Sequence, residues 1–265
     1  MIKTLIARFK QGYRTQPFPP KKDLLSQRYL GLPHVSPDAT KADCERCKAV
    51  CPTGAIEFID NKFTLDLGKC LFCGECQKAC LDNSVVFSRD FHLAAKERQD
   101  LILSSITDAD AKKIAKNVKH IFGKSLKLRQ VCAGGCGACE ADINVLGTLS
   151  YDLGRFGIQF VASPRHADGL VVTGAVTENM KLALAKTYKA IPSPKLVIAV
   201  GACAISGGPY IDHKETNNGV DSVIPVDIYI PGCPPHPLSI LDGLLKIMNH
   251  KTLKFHPIKG GGRHG

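Results

Sequence analysis

Cys44-Glu-Arg-Cys47-Lys-Ala-Val-Cys51-Pro52, followed by Cys70-Leu-Phe-Cys73-Gly-Glu-Cys76-Gln-Lys-Ala-Cys80, decides how the first half of this chain must fold. Seven of the twelve cysteines lie in these two runs, and Cys132, Cys136, Cys139, Cys203 and Cys233 are spread over the second half. Iron–sulfur clusters need several thiolates converging on a few irons, and short Cys-x2-Cys loops supply two or three from one turn of backbone. The runs point to a carrier of electrons.

In a two-cluster ferredoxin the first three cysteines of a run bind one cluster and the fourth crosses to the other. That rule groups Cys70, Cys73 and Cys76 with Cys51 around one [4Fe–4S] cluster. The second group is Cys44, Cys47 and Cys80, and Lys41 stands where a first cysteine belongs. Three thiolates suit a [3Fe–4S] cluster, or a [4Fe–4S] cluster with Asp43, His34, water or another group as fourth ligand. The proline expected after the last cysteine of each run is present after Cys51, whereas Leu81 follows Cys80. Structural zinc takes four ligands in Cys-x2-Cys pairs, which does not account for seven cysteines in interlocked spacing.

Working outward, residues 1–16 place Ile2, Leu5, Ile6, Phe9 and Tyr13 at helical spacing with Lys3, Arg8, Lys10 and Arg14 between them. Pro17, Pro19 and Pro20 then break the helix. Residues 1–37 are read as an arm that packs or docks on a partner, and residues 38–90 as a small α+β two-cluster ferredoxin domain. Residues 91–125 are expected to be a helical linker: Thr107-Asp-Ala-Asp110 resembles a capping box, followed by Ile114, Val118 and Ile121.

From residue 126 the pattern alternates. Strands are expected at 126–131, 158–162, 169–173, 196–200 and 227–230, and helices at 141–156, 177–190 and 237–249. Short apolar strands between helices argue for a parallel, flavodoxin-like α/β domain over residues 126–250. Residues 251–265 read as a flexible tail. Ligands of such sheets sit beyond the carboxyl ends of the strands. The segments 132–139, 173–174, 201–203 and 231–233 each follow a strand, and three of the four carry cysteine.

The second half resembles the family that unites the small subunits of [NiFe] hydrogenases with the twenty-kilodalton subunit of respiratory complex I. The resemblance is carried by Cys136-Gly-Ala-Cys139-Glu140, Ser163-Pro-Arg-His-Ala-Asp168 and Val172-Thr-Gly-Ala-Val-Thr177. Gly201-Ala-Cys-Ala-Ile-Ser-Gly-Gly-Pro209 and Pro231-Gly-Cys-Pro-Pro235 complete it, over roughly residues 129–249. It implies a [4Fe–4S] cluster on Cys136, Cys139, Cys203 and Cys233, nearest a partner's catalytic centre. Complex I subunits carry adjacent cysteines in the first loop, so Cys136-x2-Cys139 looks like the membrane-associated, complex-I-related hydrogenases, and His166 leans the same way. Gly201 and Gly232 would let backbone approach the cluster. Cys132 is a packed thiol or a ligand in place of Cys136. Glu140 is a proton relay, a salt-bridge partner or a helix N-terminal carboxylate, and His166 and His236 are interface or loop residues.

The resemblance implies an electron-transfer subunit of a membrane-associated, formate-hydrogenlyase-like [NiFe] hydrogenase. Its partners would be a large subunit, which holds the nickel, and the membrane arm of a complex-I-like assembly. The alternatives are a subunit of a complex-I-like quinone reductase, or a stand-alone ferredoxin-type carrier. No apolar run reaches the roughly 18 residues of a membrane span, and the interrupted Met1–Phe9 stretch does not read as a secretory signal. Cys-x2-Cys spacing without such a signal suits a reducing compartment. The expected location is therefore cytoplasmic, peripheral on the inner membrane face through partner subunits. The net charge is +11, with eight Lys/Arg against two Asp in residues 1–41. With no nucleic-acid motif beside it, that charge suits acidic partner subunits or an anionic membrane face, not nucleic acid.

Overall fold

The computed structural model describes residues 2–12, 14–20, 25–59, 61–80, 83–104 and 125–248. The N-terminal part holds α1 (Ile2–Gln11), β1 (Pro33–Val35), α2 (Lys41–Ala49), β2 (Ile56–Ile59), β3 (Lys62–Asp66), α3 (Glu75–Ala79), β4 (Val85–Phe87) and β5 (Ile102–Ser104). β1 pairs antiparallel with β4, and β2, β3 and β5 form a second antiparallel sheet in that order. The C-terminal part holds β6 (Leu126–Cys132), α4 (Ala138–Val145), β7 (Ile158–Phe160), β8 (Gly169–Thr173), α5 (Glu178–Ala190), β9 (Leu196–Val200), α6 (Ala202–Ser206), β10 (Ile228–Ile230) and α7 (Pro237–Ile247).

The five C-terminal strands are all parallel, in the order β10-β9-β8-β6-β7. Counted within the domain this is 2-1-3-4-5, the flavodoxin-like winding. Gly-Leu-Val-Val-Thr of β8 and Leu-Val-Ile-Ala-Val of β9 are buried at every position, as central strands covered on both faces must be. Each such Val, Leu or Ile contributes about 1.5–3 kcal/mol by leaving water. On one face α7 buries Leu241, Leu244 and Ile247 with Ile198 and Ile230.

Two expectations are corrected. Residues 141–156 do not form one helix. α4 stops at Val145, and a 3-10 turn occupies Leu153–Phe156 after Asp152 takes a left-handed backbone (φ +48°). Nor do residues 91–104, the described part of the expected helical linker, form an α-helix. The segment ends in a 3-10 turn at Arg98–Leu101 running into β5, which pairs with β3. Upstream, Ala95 exchanges two backbone hydrogen bonds with Tyr229 of β10 (3.0 and 2.9 Å), covering that strand's open edge. Residues 105–124, with the capping-box reading at 107–110, and the 251–265 tail lie outside the described residues.

Candidate iron–sulfur centres

The first centre is built by the turn after β3, the start of α3 and the loop after α2. Cys51, Cys70, Cys73 and Cys76 line a small apolar cavity together with Ile56, Leu65 and Phe87. Backbone donors already point at sulfur: the Ala55 N–H is 3.3 Å from Cys51 Sγ and the Phe72 N–H is 3.3 Å from Cys70 Sγ. Phe72 holds a positive φ of 52° within its Cys-x2-Cys loop, a conformation rare for a bulky residue. Burial pushes the Cys70 thiol up to about 12 and the Cys76 thiol up to about 11. Thiols so placed keep their protons near neutral pH unless a metal displaces them. The donor set therefore fits a cluster.

The second N-terminal group is arranged differently from the expectation. α2 and α3 bring Cys47 and Cys80 to a Cα–Cα distance of 6.3 Å, within disulfide range, and the two are joined. Cys44 lies fully buried as a free thiol. Three thiolates at Cys44, Cys47 and Cys80 thus require this pair in its reduced form. Two of the suggested fourth ligands are engaged or turned away. Asp43 caps α2: its Oδ2 accepts from the Thr40 N–H at 2.9 Å and its N–H donates to Thr40 Oγ1 at 3.2 Å. The Thr40 bonds, aided by Arg46, hold the Asp43 carboxyl down at about 2. His34 is exposed on β1, and Lys41, exposed, opens α2 where a first cysteine would stand.

The third centre lies at the carboxyl edge of the parallel sheet. Cys136 precedes α4 and Cys139 stands in its first turn; Cys203 is in the first turn of α6, and Cys233 follows β10. Burial pushes the Cys139 thiol up, and Glu140, Cys203, Cys233 and Cys136 push it the same way. Burial, with Cys233 and Cys136 beside it, takes Cys203 up to about 11. Burial also raises Cys233, which responds next to Cys136 and then to Cys73 of the first centre. The two centres are neighbours through Ser206, three residues after Cys203, whose Oγ donates at 2.9 Å to the carbonyl of Gly68, two residues before Cys70. Gly201 fits this crowding: a Cβ there would lie 2.7 Å from Cys139 Sγ. Gly232 is required for another reason, since its Cβ would strike Pro235 Cα at 2.3 Å. No three or more His, Cys, Asp or Glu among the described residues are arranged to hold a single metal ion. A multi-iron cluster does not need its ligands to meet at one atom, so the donor set Cys136, Cys139, Cys203 and Cys233 fits such a group.

Cys132 is exposed, not packed, and shares Glu140 with Thr173. Burial pushes the Glu140 carboxyl up, but hydrogen bonds from Cys132 and Thr173 outweigh it and hold the group below its usual range. His166 is exposed in a 3-10 turn. His236 caps α7, its Nδ1 accepting from the Leu238 N–H at 3.1 Å, and its ring packs edge-on to Tyr29. An open cleft is lined by Cys136 together with Gly135, Thr177, Tyr210, His213 and Glu215. Sequence reasoning missed the contacts that seat the two halves on each other. Ser206 Oγ donates to the Gly68 carbonyl at 2.9 Å across the halves, and within the N-terminal part Arg98 braces the Gly68 turn by a two-pronged pair with Asp66 (2.8 and 2.6 Å). Nothing in the spacing of those residues signals a partner.

Comparison with known proteins divides the chain at the same place. Residues 42–83 match the 4Fe-4S dicluster domain and residues 136–247 match the NADH ubiquinone oxidoreductase, 20 Kd subunit. A subunit of the NADH-quinone oxidoreductase of Heliobacterium modesticaldum is 42% identical over 134 residues, 50% of this chain and 75% of that protein. The probable membrane-bound hydrogenase subunit mbhJ of Pyrococcus furiosus is 43% identical over 134 residues, 51% of this chain and 80% of that one. Among solved structures, a chain of the membrane-bound sulfane sulfur reductase, an archaeal respiratory membrane complex, is 41% identical with a TM-score of 0.43. The match covers 47% of this chain and 69% of that one.

Proposed function

Since the chain belongs to the family of the complex I twenty-kilodalton subunit and carries a dicluster ferredoxin domain ahead of it, we propose that it is the electron-transfer subunit of a membrane-associated [NiFe]-hydrogenase-like complex. Bound clusters would supply single-electron carriage. The chain's own residues hold, shield and align them. Cys51, Cys70, Cys73 and Cys76 would hold one [4Fe–4S] cluster and Cys136, Cys139, Cys203 and Cys233 another. Cys44, Cys47 and Cys80, when reduced, would hold a third of [3Fe–4S] or [4Fe–4S] type. Apolar walls at Ile56, Leu65 and Phe87 keep water from the first, and N–H donors at Ala55 and Phe72 offset thiolate charge.

The observation that carries the reading is the 2.9 Å hydrogen bond from Ser206 to the Gly68 carbonyl, which seats the Cys203 loop on the Cys70 loop across the two halves. It gives electrons a route from the ferredoxin part to the sheet edge, where the resemblance puts a large subunit. Among the described residues no helix is long and apolar enough to cross a membrane, so attachment to a membrane arm would run through partner subunits. Subunits named for quinone reduction match as well as the hydrogenase one. The Cys136-x2-Cys139 spacing favours the hydrogenase, formate-hydrogenlyase-like form.

The test is to purify the native complex and measure nickel and hydrogen-dependent dye reduction. Nickel with such activity, abolished by Cys233→Ser while the N-terminal clusters remain visible, is the expected result. A nickel-free complex that reduces quinone would replace the hydrogenase reading with the other. A stable chain that copurifies with no large subunit would leave a ferredoxin-type carrier.

A further inference from the structure

The two halves of the chain meet at a buried point between two cysteine loops. Gly68 lies two residues before Cys70, and Ser206 three residues after Cys203. Both are buried, and the Ser206 hydroxyl reaches the Gly68 carbonyl at 2.9 Å, nearer than the Ala202 carbonyl of its own helix at 3.1 Å. The contact is too close for a methyl group: a Cβ on Gly68 would stand 2.8 Å from Ile205 Cγ2 and 2.7 Å from Arg98 Cζ. The Gly68 turn is itself rigid. Asp66 Oδ1 accepts from the Gly68 N–H at 2.8 Å, the Asp66 carbonyl accepts from the Cys70 N–H at 3.0 Å, and Arg98 grips the same carboxylate with two prongs. By contrast, Cys47 and Cys80 make their sulfur contacts inside the N-terminal part, near the Cys76 and Asp43 carbonyls.

We propose that Ser206 is a positioning residue for electron transfer. Its bond to Gly68 fixes the gap between the Cys51/70/73/76 cage and the Cys136/139/203/233 cage, and this makes the former the direct exchange partner of the latter. The Cys44/47/80 group is then the outer member, turned to an external donor. The inference rests on the cluster assignment made above. Each hop moves one electron, oxidising the giving cluster by one and reducing the receiving cluster by one; no bond forms or breaks and no proton is needed. Tunnelling falls steeply with distance, so a contact that sets the gap sets the rate. Ser206→Ala leaves the Gly68 carbonyl buried without its partner, and the two loops part. Ser206→Thr keeps the hydroxyl.

The experiment uses the full chain, reconstituted anaerobically and reduced with dithionite, a low-potential one-electron donor. Iron content and electron paramagnetic resonance spectra are read together. The wild type is expected to show magnetic splitting between two reduced clusters. Ser206→Ala should keep the same iron content and individual spectra but lose the splitting, Ser206→Thr should retain it, and Cys44→Ser should retain it. Undiminished splitting in Ser206→Ala overturns the positioning role, as does a loss of iron in that variant. Loss of splitting in Cys44→Ser overturns the order. Failure of the cluster assignment shows separately, as a wild-type chain that takes up less than about eight irons, the content of two four-iron clusters, and it removes the proposal too.

Discussion

Gly201→Ala isolates the demand that the sheet-edge cage makes on its backbone. Gly201 has φ +91° and ψ 156°, a region in which essentially only glycine is found, and a side chain held there costs about 1–3 kcal/mol. A second effect is added by contact, because the new methyl would lie 2.7 Å from Cys139 Sγ. Neither end yields easily. The Gly201 N–H donates to the Ile230 carbonyl at 2.8 Å and its carbonyl accepts from the Ile205 N–H at 3.1 Å. Cys139 is therefore the group that moves, and it moves off the position proposed for it as a ligand. Gly137→Ala is the control. Its φ of +87° is also left-handed, but a Cβ there meets nothing within 4 Å, so it carries a backbone cost of about 1–2 kcal/mol without the clash. Iron per chain after anaerobic reconstitution, with spectra of each cluster, is the assay. Gly201→Ala should lose about four irons, those of one [4Fe–4S] cluster, and keep the N-terminal signals; Gly137→Ala should lose stability but no iron. Full iron in Gly201→Ala, or equal loss in both variants, would refute the reasoning.

Lys41→Cys places a thiol one turn before Cys44 on α2 and, where the wild-type cluster is of [3Fe–4S] type, should convert its spectrum into a [4Fe–4S] one. The total iron would rise from about 11 to about 12 per chain, and about eight in both would mean that the Cys47–Cys80 disulfide persists. Folding stability should also depend on pH through His92, whose ring meets Asp90 at 2.5 Å and Asp242 at 3.7 Å, with Lys246 paired to Asp242 at 2.7 Å. The Asp90 bond, outweighing burial, raises the His92 pKa. The contribution is complete below the unfolded value of about 6.5 and lost as pH rises through the higher folded one. His92→Asn should flatten the fall in unfolding midpoint over that interval, and an unchanged slope would count against it. Deleting residues 1–16 should weaken association with partner subunits and leave iron content intact, because Ile2, Leu5, Ile6 and Phe9 of α1 are exposed and none is a ligand; copurification and iron assay decide it.

The sheet was legible because its signals are local. β8 and β9 are unbroken apolar runs whose limits, 169–173 and 196–200, agree with the sequence reading. Expectation failed where a long-range partner overrides local preference. The 91–104 segment gives its last residues to β3 as β5 and its middle to Tyr229, because strand edges offer hydrogen-bond partners that no helical pattern can foresee. Local spacing left Asp43, His34, water or another group open as a fourth ligand, and the structure adds that the Asp43 carboxylate is engaged by Thr40 at the start of α2.

By itself the sequence determined where the cysteine runs lie and the α/β alternation, since a Cys-x2-Cys loop and an apolar strand are each written within a few consecutive residues. Only the tertiary structure decided which groups are neighbours. Gly68 meets Ser206, and Ala95 meets Tyr229, through contacts between residues more than a hundred positions apart. Hydrogen bonds at that separation depend on how two finished domains dock, and no periodicity in the chain records it.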